Sequence, residues 1–128
     1  MSSRLPDYLD HISVAAQEAC SFVEGMSKED FLSDRRTQQA VILNIIIIGE
    51  AATKLIQNHS DFLDHHPEVP WRSMKGMRNR MTHGYFDINL DIVRETVQKA
   101  LPELLRQIPS VRRRLIRYLK PARLFPNV

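Results

Sequence analysis

Residues 35–58 read RRTQQAVILNIIIIGEAATKLIQN, and this stretch decides the fold class. Its β-branched core, residues 41–48, has the composition of a strand. Helix-forming residues nevertheless flank this core, RRTQQA before it and EAATKL after Gly49. We therefore predict one long helix that Asp34 caps and that ends near Asn58. Because apolar residues occupy all of its faces, this central helix should be buried on all sides. Gly49 is the position at which we expect another helix to come close.

Apolar residues at helical spacing predict a first helix from Leu5 to about Gly25 and a fourth from a cap at Asn89 to Gln107. Pro102 should kink the fourth helix, because a proline inside a helix removes a hydrogen bond and clashes with the preceding turn. Pro109 should close it. The residues expected to face the core are Ile12, Ala15, Ala16, Ala19, Phe22 and Val23 in the first helix, and Ile92, Val93, Val97, Ala100, Leu104 and Ile108 in the fourth.

Start and stop signals mark the remaining helical segments. Ser27, followed three residues later by Asp30, predicts a short helical turn, and Ser60 opens another. A third long helix should begin at Trp71, after a proline, and end at Gly84. No alternating strand pattern and no internal repeat appear in the chain. The sequence therefore predicts an all-α protein, a four- to five-helix up-and-down bundle with short connections.

The basic residues are concentrated near the C-terminus. From residue 110 onward there are six basic residues and no acidic one, which leaves 12 basic and 15 acidic residues in the rest of the chain. We predict a helical bundle domain over residues 1–109 and a basic tail over residues 110–128. The tail could bind RNA through its charge, dock on an acidic partner, or be a solvated helix without a role. Apolar residues among its arginines indicate an amphipathic final helix: Val111, Leu115, Ile116 and Leu119.

The composition indicates a soluble protein of the cytoplasm. The single cysteine, Cys20, cannot form an internal disulfide, and no signal-peptide pattern opens the chain. The longest apolar run, residues 41–48, is interrupted by Asn44 and is far shorter than the roughly 20 residues of a membrane span. We expect no membrane association.

We expect the catalytic residues within residues 77–85, which read MRNRMTHGY. Arg78 is a permanent cation that can bind phosphate oxygens, and the imidazole of His83 is a group that can move a proton on and off a hydroxyl. Together they suffice to cleave RNA, whose 2′-hydroxyl supplies the nucleophile. On an unbroken helix, however, their side chains would point about 140° apart. Either the helix ends near Thr82, so that His83 can turn towards Arg78, or the site is composite and is built across a twofold dimer.

This run resembles the RxxxxHxY signature of the HepT-like toxins, a branch of the HEPN superfamily of small all-helical proteins. The resemblance extends over roughly residues 5–108, through Arg36, Ala40, the Ile-Gly-Glu-Ala run at residues 48–51, and Pro70-Trp71. It implies a HEPN-type bundle that forms a homodimer, with Arg–His pairs lining a cleft between the subunits. It also implies a toxin of a type II or type VII toxin–antitoxin system, neutralised by a minimal nucleotidyltransferase antitoxin.

Each motif residue then receives an expected role. Arg78 and His83 are the catalytic pair, which would cleave RNA without a metal and leave a 2′,3′-cyclic phosphate and a 5′-hydroxyl. Asn79, Arg80 and Tyr85 are expected to contact the substrate, although Arg80 could simply be solvated and Tyr85 could pack at the dimer edge. In HepT-like toxins the antitoxin attaches AMP to the tyrosine of this motif, which corresponds to Tyr85.

Three alternatives stay open. Arg78 and His83 could merely satisfy carbonyls at a helix end, where cations are favoured. Glu50 could orient His83, pair with Arg78, or serve another structural partner. The chain as a whole could be a non-catalytic HEPN domain that binds or regulates a nucleotidyltransferase.

We expect no metal or cofactor, because the histidines and Cys20 do not form a ligand spacing such as HxxxH or CxxC.

Overall fold

The computed structural model describes residues 4–119 of the chain, beginning with an amphipathic helix. Helix α1 (Arg4–Phe22) buries the apolar stripe predicted for it, except that Phe22 is largely exposed. Gly25 follows with φ of 76°, a left-handed conformation that suits glycine, and the chain turns back there. Helix α2 (Lys28–Ser33) carries the predicted start signal as a complete capping box, in which the Ser27 and Asp30 side chains accept hydrogen bonds from each other's backbone N–H.

Helix α3 (Arg35–Asn58) is the predicted central helix. The Asp34 carboxylate caps it by accepting a hydrogen bond from the Thr37 N–H, and the helix packs against α1 on one side. The expectation that α3 is buried on all sides is wrong. Leu43 and Ile47 are 58% and 38% exposed, because no other described helix covers that face. The length and composition of α3 would also suit a membrane span, and half of its most apolar window is buried in the bundle.

Helices α4 (Ser60–Asp64) and α5 (Trp71–His83) follow, and α5 packs against the other side of α3. Trp71 anchors the start of α5: its indole is buried and donates a hydrogen bond of 3.0 Å to the His66 carbonyl. At the far end, Gly84 N–H donates to the Arg80 carbonyl, and residues Tyr85–Asp87 form a 3₁₀ turn. The predicted limits of this helix are therefore confirmed.

The last helical rod consists of α6 (Leu90–Glu95), a π-helical turn (Thr96–Ala100) and α7 (Leu101–Leu119). The Asn89 side chain caps α6, as predicted. The rod is irregular just before Pro102, where Leu101 N–H donates to the Thr96 carbonyl in the wider π pattern. Two of the residues expected to face the core, Ile92 and Ala100, are instead exposed.

The prediction that Pro109 closes the helix is wrong. Helix α7 continues through Pro109 to Leu119, and Val111 and Leu115 beyond it are buried in the core. Burial of these two side chains in the core offsets the hydrogen bond that proline cannot make. The boundary predicted between residues 109 and 110 therefore falls inside α7. Residues 120–128, with Lys120 and Arg123 of the predicted tail, lie outside the described residues.

Within residues 4–119 the secondary structure is helical, with no strand, and the core is one cluster that joins α1, α3, α5 and α7. The predicted all-α bundle is confirmed. Helix α3 contacts both α1 and α5, and α7 contacts α1. The homodimer stays a prediction.

Candidate active site

The site begins at the contact between α3 and α5. A β-carbon placed on Gly49 would lie 2.3 Å from the Arg78 Cβ and 2.6 Å from the Met74 carbonyl oxygen, distances that real atoms do not adopt. Only glycine therefore allows the two helices to approach this closely. The prediction that another helix comes close at Gly49 is confirmed, and the residue that touches it is the arginine of the motif.

The Arg78 side chain lies along α3 and is only 21% exposed. Its Nη2 donates a hydrogen bond of 3.0 Å to the Thr53 hydroxyl, and its Nη1 lies 3.4 Å from the Glu50 carboxylate, which is 53% exposed. Its Nε is buried without a hydrogen-bond partner among the described residues. Of the alternatives for Glu50, the pairing with Arg78 is the one observed. The guanidinium is thus held against α3 and keeps a minority of its surface open to solvent.

Thr53 is the site residue that the sequence analysis missed. It is buried, and its hydroxyl donates a hydrogen bond of 2.8 Å to the Gly49 carbonyl one turn earlier. The spacing contained a signal: residues four apart lie on the same face of a helix, so Thr53 lies on the face that Gly49 opens to α5. Read with Gly49, it could have been proposed as a partner for the motif.

His83 is the last residue of α5 and is exposed. The helix stays regular from Arg78 to His83, and Thr82 bonds back to the Arg78 carbonyl at 3.0 Å. At 100° per residue the two side chains therefore point about 140° apart. The alternative in which the helix ends early and swings His83 round is not realised. Within one subunit, regular helical geometry therefore directs the two side chains to different faces of α5.

The other motif residues spread around the end of α5. Asn79 is partly buried, whereas Arg80 projects about 200° from Arg78 and donates a hydrogen bond of 3.3 Å to the Met77 sulfur. Tyr85, in the 3₁₀ turn, is 63% exposed, and its ring lies 4.5 Å from that of Phe86, which is 87% exposed. Arg80 thus lies on a different face of the helix from Arg78, while the tyrosine is freely accessible.

An exposed apolar strip on α3 leads to the arginine. Leu43, Ile47 and Glu50 are spaced four and three residues apart and so lie on one face of the helix. The strip therefore ends at the Glu50–Arg78 pair. Tyr85 and Phe86 help line a groove of about 330 Å³ near the start of α3. Large apolar side chains gathered on one face of a soluble protein commonly mark an interaction surface.

A metal site and a reactive cysteine are the other centres that residues 4–119 could hold. These residues contain no group of three His, Cys, Asp or Glu side chains placed to hold a metal ion. Burial raises the pKa of the Cys20 thiol, which lowers its fraction of nucleophilic thiolate, and its sulfur faces the Val97 carbonyl in the π turn. The chemistry of this protein is therefore best sought at the motif.

The chain is similar to known proteins over most of its length. The family model described as "Ribonuclease HepT-like" matches residues 12–111, which include the whole motif. A "Probable ribonuclease HepT" from Thermococcus cleftensis is 40% identical, over 84% of this chain and 94% of that protein. A protein from Caldanaerobacter subterraneus, named "Putative RNase TTE0752", is 36% identical over 81% of this chain and 90% of its own length. No solved structure gives a significant match. The chain belongs to the HepT-like ribonuclease family.

Proposed function

We propose that the protein is a metal-independent endoribonuclease of the HEPN type, active as a homodimer and serving as the toxin of a type II or type VII toxin–antitoxin system in the cytoplasm. The observation that carries the proposal is the placement of Arg78. It is held against α3 at the end of an exposed apolar strip, while its partner His83 points about 140° away on the same helix. A second subunit would complete the site. Membership of a ribonuclease family supports RNA as the substrate.

In the proposed reaction, neutral His83 accepts the proton of the 2′-hydroxyl as its oxygen attacks the adjacent phosphorus. The bond from phosphorus to the 5′-oxygen breaks, and that oxygen takes up a proton from a water molecule, to which protonated His83 returns its own proton. The products are a 2′,3′-cyclic phosphate and a 5′-hydroxyl. The Arg78 guanidinium binds the non-bridging oxygens and offsets the negative charge that grows on them. In this proposal Asn79 and Arg80 contact the neighbouring RNA, and Tyr85 stacks on a base.

The homodimer is proposed to form through the strip on α3. Leu43 and Ile47 are aliphatic and exposed beside the Arg78 site, so pairing this face around a twofold axis would bury them and bring the two motifs together. Light scattering should report a dimer for the wild type and a monomer for Ile47→Arg. The matched control is Val14→Arg, which changes an exposed apolar residue on α1. A monomeric wild type, or equal dissociation by both variants, would contradict this interface.

Tyr85 is the proposed regulatory position. Its accessible hydroxyl would attack the α-phosphorus of ATP held by the antitoxin, a minimal nucleotidyltransferase, and pyrophosphate would leave. The attached AMP would add bulk and negative charge where RNA phosphate has to bind. Mass spectrometry after incubation with a cognate nucleotidyltransferase and ATP should find AMP on Tyr85, and the Tyr85→Phe variant should stay unmodified. Inhibition without any modification would instead indicate simple occlusion of the site.

Cleavage of a structured RNA in the presence of EDTA tests whether the protein is a metal-independent ribonuclease. The wild type should leave cyclic-phosphate ends, and Arg78→Ala and His83→Ala should each be inactive. His65→Ala, which removes an exposed histidine outside the motif, should cleave like the wild type. Equal cleavage by the wild type and His83→Ala would indicate a contaminating nuclease or a misplaced site. No cleavage, together with tight binding to a nucleotidyltransferase, would favour the non-catalytic HEPN module instead.

Mixing the two inactive variants tests the composite site. In a mixed dimer, one site combines Arg78 from one subunit with His83 from the other and is intact, while the second site lacks both residues. After random exchange half of the dimers are mixed, so about a quarter of the wild-type activity should return. If each site used Arg78 and His83 of the same subunit, no activity would return.

A further inference from the structure

We propose that Thr53 is a positioning residue that fixes the Arg78 guanidinium in the orientation needed at the scissile phosphate. The inference rests on the proposed ribonuclease function and adds a residue to its machinery. Thr53 is buried on α3 and does not reach the substrate itself; it acts through the arginine.

The direction of the hydrogen bonds carries the argument. A hydroxyl has one proton to donate and two lone pairs to accept with. The Thr53 proton is used on the Gly49 carbonyl at 2.8 Å, so towards Arg78 its oxygen can only accept. The acceptor is therefore fixed in place by the helix that bears it. Since the Arg78 Cβ is also pressed against Gly49, both ends of the arginine side chain are located by α3.

Thr53 and Glu50 hold the same cation in different ways. Glu50 is half-exposed, lies 3.4 Å from Nη1 and carries a negative charge, so it competes with a substrate phosphate for Arg78. Thr53 is neutral and buried, and orients Nη2 without offsetting the charge that the reaction needs. Removing the hydroxyl would leave Arg78 charged but free to take other rotamers. Such a change weakens an interaction made mainly in the transition state, and should lower kcat more than it raises KM.

The test compares Thr53→Val, which keeps the shape but loses the hydroxyl, with Thr53→Ser, which keeps the hydroxyl. Loss of a hydrogen bond to a charged group corresponds to a decrease in kcat of roughly tenfold or more for Thr53→Val, with KM changed by less than about threefold. Thr53→Ser should restore most of the activity. The logarithm of the RNA association constant falls linearly with the logarithm of the salt concentration. The slope of this line should be unchanged in Thr53→Val, because the charge remains, whereas Arg78→Ala should make it shallower by about 0.7.

The outcomes separate the two proposals. An active wild type and an inactive Arg78→Ala, together with a Thr53→Val kcat equal to that of the wild type, would overturn the positioning role alone. An inactive wild type would overturn the ribonuclease function and this inference with it. If circular dichroism finds Thr53→Val unfolded, Thr53→Ala and Thr53→Ser make the same comparison without placing a methyl group at the position of the hydroxyl. Equal kcat in those two variants would refute the role of the hydroxyl.

Discussion

Replacing Gly49 with alanine inserts one methyl group into the contact between α3 and α5. The new carbon would lie 2.3 Å from the Arg78 Cβ and 2.6 Å from the Met74 carbonyl oxygen. Ordinary contacts between carbon atoms are about 3.5–4.0 Å. Both of these neighbours are fixed to the α5 backbone, so a change of rotamer cannot relieve the overlap. The two helices have to separate by on the order of 1 Å, and Arg78 has to move with α5.

Two opposing effects determine how much Gly49→Ala changes the free energy of unfolding. Alanine favours a helix over glycine by about 1 kcal/mol. Overpacking a core contact costs about 1–3 kcal/mol, and a clash with backbone atoms belongs at or above the upper end. We therefore expect Gly49→Ala to lower the free energy of unfolding by about 2 kcal/mol. For a chain of this length that lowers Tm by roughly 6–10 °C. Because a 1 Å displacement at an active site can cost about 100-fold, RNA cleavage should fall as well.

Thermal and urea unfolding, followed by circular dichroism at one protein concentration, measure the effect. Gly76→Ala is the matched control on α5, because its new methyl group would find only the Arg80 Nη1, at an ordinary 3.7 Å. This control should be stabilised by up to about 1 kcal/mol, so the two glycines should give changes of opposite sign. A Gly49→Ala variant as stable as the wild type would mean that α3 and α5 are not in contact at this position, and the account of Arg78 would fail with it.

Two other predictions concern the helix caps. The Asn89 side chain accepts hydrogen bonds from the N–H groups of Asp91 and Ile92, so Asn89→Ala should lower the free energy of unfolding by about 1 kcal/mol, measured by urea denaturation; an unchanged midpoint would contradict the cap. Hydrogen bonds from the Thr37 backbone and side chain lower the pKa of Asp34 below its usual value of 3.8. Its contribution to stability is therefore complete above that value and is lost as the pH falls through the lower, folded-state pKa. The difference in stability between wild type and Asp34→Ala should be largest near pH 7 and shrink towards about pH 2, and a difference that does not change with pH would refute this cause.

Local sequence predicted the helices and their starts well. The Ser27–Asp30 capping box, the Asp34 cap and the Asn89 cap were all predicted and are all present. Each depends on bonds between residues two or three positions apart, so the neighbouring sequence nearly fixes it. The motif of residues 77–85 is likewise contiguous in the sequence, so it can be read from the chain directly.

Predictions of burial were less accurate. Leu43 and Ile47 were expected inside and are exposed, whereas Pro109 was expected to end a helix that continues. In both cases a distant element decides the result. No described helix covers that face of α3, whereas beyond Pro109 the core takes in Val111 and Leu115, and Arg112 pairs with Asp10 of α1. Apolar periodicity tells which faces can be buried, but not which of them a partner will reach.

The sequence by itself determined the all-α class and the central helix, because hydrogen bonds and periodicity along one helix depend on near neighbours. Only the tertiary structure decided that Arg78 lies against Gly49 and bonds to Thr53, since those residues are 29 and 25 positions away in the chain. It also decided that His83 projects from the regular end of α5, away from Arg78. Contacts between helices depend on how two distant surfaces fit, and no single stretch of sequence contains that information.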